Sequence, residues 1–209
     1  MQKNYKDFIM IPFNVLLFDG FETLDVFGPV EIIGKIPKKY SIDFYSENGG
    51  EITSSQNVRI NTLPADKIVD GGILLIPGGM GTRNLVNNVS FIETLCVLSS
   101  DANLVMTVCT GSALLAKTGL LKGKNATSNK MAFDWVKSID TDVNWIRKAR
   151  WVRDGKYYSS SGVSAGMDMT LGYVAETHGM KTAEDIARYI EYTWNKDCDN
   201  DPFSQINPL

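Results

Sequence analysis

The residues with the clearest chemical potential lie where an apolar run stops at a cysteine and small residues begin a helical pattern. The stretch is LVMTVCTGSALLA, residues 104–116, and its thiol is Cys109. The pattern predicts a nucleophile elbow, in which a strand carries a side chain to the sheet edge and the next helix directs unpaired N–H groups at it. Such a position favours the thiolate, the nucleophilic form of cysteine. The alternative is a small buried apolar residue, because free cysteines are often buried.

Three further clusters of glycine, acidic and hydroxyl residues follow other predicted strands. They are DGFETLDVFGP at 19–29, PGGMGT at 77–82 and SSSGVSAGMD at 159–168. In open α/β sheets, ligands bind beyond the carboxyl ends of the strands. The clusters are therefore expected to surround Cys109 at one edge of a sheet.

The elements that must position these clusters are visible as alternating strand-like and helical patterns. Apolar runs predict strands at 13–18, 40–45, 73–76 and 104–108, and helical patterns cover about 24–34, 90–99, 110–118 and 131–139. Continuous apolar strands indicate burial on both faces. The predicted fold class is α/β, a three-layer sandwich with a mostly parallel central sheet between helices.

Local signals add detail to this plan. Ser90 to Glu93 resembles a capping box, and Thr182 to Asp185 forms a weaker one before a final helix that extends to Trp194. Asp154-Gly155 between alternating apolar and polar residues predicts a β-hairpin.

Composition bounds the classes of function. The chain has 209 residues, 44% of them hydrophobic, and a net charge of −3. We expect one domain over 1–197 and a loosely ordered tail over 198–209.

Scattered Lys and Arg residues disfavour nucleic acid as a partner, and no apolar run is long enough to span a membrane. The N-terminus lacks the apolar core of a signal peptide, so a cytoplasmic location is expected. Three cysteines and one histidine predict neither a disulfide framework nor a metal site.

In combination, the motifs resemble the ThiJ/PfpI superfamily, and within it the isonitrile hydratase-like branch. They are L-D-x-x-G-P at 24–29, I-P-G-G at 76–79, V-C-T-G-S at 108–112, G-L-L-x-G at 119–123 and S-A-G-M-D at 164–168. Each motif alone is weak, but their order and combination are specific, and the resemblance runs from about residue 13 to 194. It implies a flavodoxin-like, class I glutamine amidotransferase-like fold and a nucleophilic Cys109. It also implies a homodimer, a small-molecule substrate and no metal or organic cofactor.

By this resemblance, Asp25 is the acid that faces the nucleophile. A carboxylate beside a thiolate places two like charges together, so the pair should titrate as a coupled unit that shares one proton. The alternative role for Asp25 is a helix N-cap. Gly78 and Gly79 match positions whose backbone approaches the substrate, and the N–H groups of Gly79 and Thr110 are the expected oxyanion donors. The alternative for the glycines is a plain strand-to-loop turn.

Two departures from other branches of the superfamily narrow the chemistry. Members described as proteases or amidases have histidine directly after the cysteine, where this chain has Thr110, and Asn129 stands where related sequences often have histidine. The single histidine, His178, ends an apolar helix, where contact with the helix C-terminus is the simplest interpretation. A peptidase mechanism therefore lacks its base.

The expected function is hydration of an isonitrile to an N-substituted formamide by Cys109, with Asp25 and Thr110 as the other catalytic residues. The alternatives are a glyoxalase-like or amidase-like hydrolase that uses the same cysteine, or a redox or stress sensor based on its oxidation. A thioredoxin-like C-x-x-S site and a dinucleotide site fit the sequence poorly. A ligand-sensing domain of a transcription regulator would need a helix-turn-helix region, for which the residues after Asp197 offer no room.

Overall fold

A computed structural model of the chain describes residues 10–206. Residues 1–9, on which the prediction about a signal peptide depends, and residues 207–209 of the tail lie outside it. The main element is an eight-stranded sheet. Its strands are β1 (Ile11–Leu16), β2 (Tyr40–Ser46), β3 (Asn48–Thr53), β4 (Arg59–Pro64), β5 (Ile73–Ile76), β6 (Leu104–Thr107), β9 (Trp151–Asp154) and β10 (Tyr157–Ser160). A separate short parallel pair is formed by β7 (Asn125–Ala126) and β8 (Asn144–Trp145).

The strand order in the sheet is β3-β4-β2-β1-β5-β6-β10-β9. The six central strands pair in parallel, and only the two outermost strands, β3 and β9, run antiparallel to their neighbours. Every residue of β5 and of β10 is buried, as expected for strands that are covered on both faces.

Helices flank the sheet in two groups whose members contact one another. The helices are α1 (Thr23–Gly34), α2 (Thr82–Leu85), α3 (Val89–Asp101), α4 (Gly111–Lys117), α5 (Phe133–Ile139), α6 (Ala165–His178) and α7 (Met180–Tyr189). One group is α1 with α6 and α7, and the other is α2 to α5. The predicted α/β architecture with a mostly parallel sheet between helices is confirmed. None of the helices within residues 10–206 is both long and apolar enough to cross a membrane.

The structure corrects both predicted capping boxes. Helix α3 begins one residue earlier than expected, and Asn88 caps it by accepting from the Phe91 N–H at 3.2 Å. Ser90 donates to Glu47 instead. Thr182 lies inside α7, where its hydroxyl donates to the His178 carbonyl. Residues that can cap are also common inside first turns, so their spacing alone did not fix the helix start.

The Asp154-Gly155 hairpin is confirmed as β9 and β10, with Tyr157 paired to Asp154. A second hairpin, β3 and β4, lies at the opposite edge of the sheet and was not predicted from the sequence. It turns at Asn57, which has a positive φ of 62°. Its strands are largely exposed, so they lack the apolar runs on which the strand predictions relied.

The C-terminal segment differs from the expected loose tail. Residues 198–206 form no helix or strand, yet Asp201 is only 1% exposed. Its carboxylate lies 3.4 Å from Arg150 Nη1 and 3.6 Å from Lys130 Nζ, both from buried side chains, and it accepts from the Ser161 hydroxyl. A buried ion cluster therefore ties the described part of the tail to the domain. The amino-acid composition of the tail could not reveal that Asp201 is buried beside Arg150 and Lys130.

The topology brings the predicted chemical residues together. The carboxyl ends of β1, β5, β6 and β10 are neighbours in the sheet, and each is followed by one of the clusters found in the sequence. The loops after β1 and β5 are further joined by a bridge between Phe21 and Gly79.

Candidate active site

Cys109 occupies a sharp turn between β6 and α4. Its φ of 56° lies in the left-handed region, which is unfavourable for a residue with a side chain. The turn is held from both sides, because the Cys109 N–H donates to the Ser161 carbonyl at 3.0 Å and the Cys109 carbonyl accepts from Ser112 Oγ and Ser128 Oγ. The predicted elbow geometry is present at this turn.

Two glycines let the backbone pack against this turn. A Cβ at Gly78 would lie 2.5 Å from the Thr110 nitrogen and 2.9 Å from Cys109 Cβ, and one at Gly111 would lie 2.4 Å from the Ile76 carbonyl oxygen. Neither position has room for a side chain. Gly78 is thus more than a turn residue, because its absent side chain lets β5 and the elbow meet.

Asp25 is fully buried in the first turn of α1. Its Oδ2 accepts from the Gly78 N–H at 2.8 Å, and its Oδ1 has no hydrogen-bond partner among residues 10–206. Burial raises the pKa of Asp25 well above its ordinary value, the Gly78 N–H opposes this rise, and the charge of Glu22 adds to it. Asp25 therefore does not cap α1; it is a buried acid held against the loop that contacts Cys109.

The protonation of Cys109 differs from the sequence expectation. Cys109 is 7% exposed, and burial raises its pKa well above the ordinary value. The negative charge of Asp25 raises the pKa further, while the Thr110 N–H and the side chains of Thr110 and Asn129 lower it. Desolvation thus outweighs the donors at the start of α4, a helix of seven residues. A neutral Asp25 removes one of the two contributions that disfavour the thiolate.

The Thr110 hydroxyl organises the donors expected to stabilise negative charge. The Gly79 N–H donates to Thr110 Oγ1 at 3.1 Å, and Thr82 Oγ1 lies 3.1 Å from the same oxygen. Gly79 is therefore engaged within the protein, which differs from its expected role as an open donor. The Thr110 N–H, by contrast, interacts with Cys109.

A cavity of about 240 Å³ lies over Cys109. Its walls combine apolar side chains with an acid, a base and an amide; they include Glu22, Arg83, Asn129, Met131 and Val163. The sequence analysis assigned no role to these five residues. Glu22 and Val163 lie inside clusters marked in the sequence, and Arg83 directly follows a third, so these residues were within reach of sequence reasoning. Met131 lies in no such cluster, and its place in the cavity depends on loop packing.

A second cavity, of about 200 Å³, adjoins the first. The two share Asn129, Met131 and Val163, and the second is bounded on its far side by Phe203 and Ile206 of the tail. The C-terminal segment thus helps to shape the surroundings of the site.

His178 does not belong to the site. It ends α6, and its Nε2 lies 2.6 Å from the hydroxyl of Tyr40, the first residue of β2. This is the amino end of the parallel strands, opposite the edge that carries Cys109. Burial and the nearby Lys39 lower the pKa of His178.

Replacing His178 with alanine is expected to leave turnover unchanged and to lower the free energy of unfolding by about 1 kcal/mol, since one hydrogen bond is lost. Steady-state kinetics and urea unfolding of the variant measure the two effects. A large loss of kcat in a folded variant would mean that His178 takes part in the chemistry after all.

Comparison with known proteins identifies the family and relatives with a similar fold. A family model described as the DJ-1/PfpI family matches residues 13–176. An isonitrile hydratase of Pseudomonas putida is 28% identical over 180 residues, which are 85% of this chain and 76% of that protein. A deglycase of Thermococcus kodakarensis is 29% identical over 149 residues, 70% of this chain and 87% of that one. The crystal structure of a ThiJ/PfpI family protein from Pseudomonas syringae aligns with a TM-score of 0.79 and 25% identity, covering 93% of this chain and 83% of that chain.

Proposed function

Because the chain belongs to the DJ-1/PfpI family, we propose that it is a cysteine-dependent enzyme that hydrates an isonitrile to an N-substituted formamide. The observation that carries the proposal is the pairing of Cys109 with a buried acid whose pKa is raised by that burial. Asp25 is held by Gly78, its second oxygen has no partner among the described residues, and its charge acts on Cys109. The similarity to an isonitrile hydratase supports the same chemistry.

In the first half of the reaction, the Cys109 sulfur attacks the terminal carbon of the isonitrile and forms a carbon–sulfur bond. The same carbon takes a proton from Asp25, which gives a thioimidate and leaves Asp25 as a carboxylate. Burial raises the pKa of Asp25, so this acid keeps its proton to a higher pH than an exposed aspartic acid does, which suits a proton donor.

In the second half, water adds to the thioimidate carbon, with Asp25 as the base that takes the proton from water. The remaining proton of that water, on the added hydroxyl, then moves to the nitrogen, and the carbon–sulfur bond breaks as the hydroxyl oxygen becomes the carbonyl oxygen of the formamide. The thiolate is restored, and the sum is one isonitrile plus one water giving one formamide. The Thr110 N–H is the donor for the charge that develops in the tetrahedral intermediate.

The cavity also fits a second candidate, a hydrolase or glyoxalase-like enzyme acting through Cys109. The observation in its favour is the similarity to a deglycase. Against it, the one histidine of the chain is bonded to Tyr40 at the opposite edge of the sheet, so a leaving amine would have to be protonated by Asp25.

The purified protein should be incubated separately with a simple alkyl isocyanide and with methylglyoxal. Formation of the formamide proton signal in NMR, lost in a Cys109→Ala variant, would support the hydratase. Lactate from methylglyoxal would favour the second candidate. Oxidation of Cys109 by peroxide with no turnover of either compound would overturn both enzymes in favour of a sensor. The cytoplasmic location and the homodimer stay predictions from the sequence.

A further inference from the structure

Arg83 is a cation at the catalytic cavity with no charged partner. In residues 10–206 it is the single arginine or lysine that lines the cavity over Cys109. Its guanidinium forms no salt bridge within 4.0 Å and no hydrogen bond with any described residue, whereas most other arginines of the chain are paired with carboxylates. Its donors are therefore available to a ligand.

Trp135 holds this guanidinium in place. The Arg83 Cζ lies 3.4 Å from the centre of the Trp135 ring, so the planar group is stacked on the indole. Stacking uses the face of the guanidinium and leaves its N–H edge open, which is the edge that binds a carboxylate with two hydrogen bonds.

The charge of Arg83 is coupled to the nucleophile. Burial lowers the pKa of Arg83, and the negative charge of an ionised Cys109 raises it. Arginine keeps its charge throughout the neutral range. A substrate that reacts at Cys109 therefore meets a fixed positive charge on the same cavity wall.

Glu22 is the acidic residue on the wall of this cavity, and it does not neutralise Arg83. No salt bridge within 4.0 Å joins the two side chains, and Glu22 Oε1 instead accepts from Gln56 Nε2 at 2.9 Å.

We propose that Arg83 is a specificity-determining residue that binds a carboxylate on the substrate, so that the preferred substrates carry both an electrophilic carbon and a carboxylate. The inference rests on the proposed function for the identity of the electrophile. The subsite itself rests on Arg83, Trp135 and the shape of the cavity.

Kinetics with a charge-matched pair of substrates test the proposal. Isocyanoacetate carries the carboxylate, and methyl isocyanoacetate is its neutral ester. We expect the wild type to prefer the anion, and Arg83→Gln to lower the ratio of kcat/KM for the anion to kcat/KM for the ester by about 10- to 100-fold. Arg83→Lys should keep part of the preference, because it retains the charge but loses the planar fork.

Arg59→Gln is the matched control, since it removes the same charge from an exposed position on β4. It should leave the preference for the anion unchanged. If Arg59→Gln and Arg83→Gln lowered the preference for the anion equally, the cause would be the net charge of the protein, and the proposed carboxylate subsite would be wrong.

A second readout does not depend on isonitrile turnover. Alkylation of Cys109 by iodoacetate, an anion, and by iodoacetamide, its neutral analogue, is compared by peptide mapping. Arg83→Gln should lower the ratio of the iodoacetate rate to the iodoacetamide rate by about tenfold. If both rates fall equally, Arg83 acts on the thiol rather than on the substrate, and the proposal is wrong.

The two readouts separate the two hypotheses. If neither isocyanide reacts but the alkylation ratio falls, the hydratase is wrong and the anion subsite stands. If both isocyanides react equally well in the wild type and the alkylation ratio is unchanged in Arg83→Gln, the hydratase stands and the subsite is wrong.

Discussion

Replacing Asp25 with asparagine is expected to lower isonitrile turnover by about 100- to 10,000-fold, the usual contribution of a positioned general acid. Asparagine has nearly the same shape and can still accept the Gly78 N–H, so the loop after β5 should keep its place. What it cannot do is give a proton to the substrate carbon. Steady-state kinetics with an alkyl isocyanide, with circular dichroism to check the fold, measure this effect.

The same variant should change the thiol in the opposite direction. While Asp25 is ionised, its negative charge raises the pKa of Cys109, so asparagine should let the thiolate form at a lower pH wherever wild-type Asp25 has lost its proton. Over a pH series, iodoacetamide should then label Cys109 faster in Asp25→Asn than in the wild type at the pH values at which wild-type Asp25 is ionised, and equally fast where wild-type Asp25 keeps its proton. Slower turnover together with faster labelling identifies Asp25 as a proton donor. A parallel decrease in both rates would mean that Asp25 serves mainly to position the thiol.

The raised pKa of Asp25 also predicts how the free energy of unfolding depends on pH. A buried acid with a raised pKa binds its proton more tightly in the folded state, so its contribution to stability is full at low pH. That contribution is lost as the pH rises above the ordinary value of 3.8 toward the raised folded value. Asp25→Asn should therefore gain stability relative to the wild type between pH 4 and neutral pH, which urea unfolding at several pH values can measure.

Replacing Thr110 with proline is expected to lower kcat/KM, because it removes the N–H beside Cys109. The expected loss of transition-state stabilisation is about 3 to 4 kcal/mol. The φ of Thr110, −77°, is within the range of proline, so the residue itself can keep its backbone angle. Additional strain is expected at Cys109, which precedes it.

Thr110→Ala is the matched comparison, since alanine keeps the N–H and loses only the hydroxyl. It releases the Gly79 N–H from Thr110 Oγ1, which offers a second donor to the substrate, so we expect a smaller loss than for proline. Both variants need circular dichroism beside the kinetics. An alanine variant as inactive as Cys109→Ala would show that the hydroxyl, and not the backbone donor, is essential.

The sequence patterns predicted the central part of the fold because its strands are continuous apolar runs. β2, β5 and β6 agree with the predicted runs to within one residue, β1 begins two residues before the predicted run and ends two residues before it, and the turn of the β9–β10 hairpin follows from Asp154-Gly155. The exposed β3–β4 hairpin was missed, since its strands bury little apolar surface. The contacts of Asp201 were also missed, because a buried ion cluster depends on residues far apart in the chain.

For the candidate site, the sequence could indicate which residues follow neighbouring strands, and the structure brings Cys109, Asp25, Gly78 and Thr110 together. The sequence could not indicate whether the Cys109 thiol is protonated. Whether a helix start or burial controls the pKa of Cys109 depends on how completely water is excluded, which is a property of the packed loops. The stacked pair of Arg83 and Trp135 was invisible for the same reason, since it joins α2 to α5.

The left-handed backbone conformation at Cys109 places a reactive thiol at the turn and lowers the stability of the fold. For a residue with a side chain this conformation costs about 1 to 2 kcal/mol, which glycine would avoid. A chain selected for stability alone would therefore carry glycine at this position and would have no nucleophile. The cysteine persists at an energetic disadvantage that the surrounding hydrogen bonds must offset, so part of the stability of this fold is committed to keeping one sulfur atom in place.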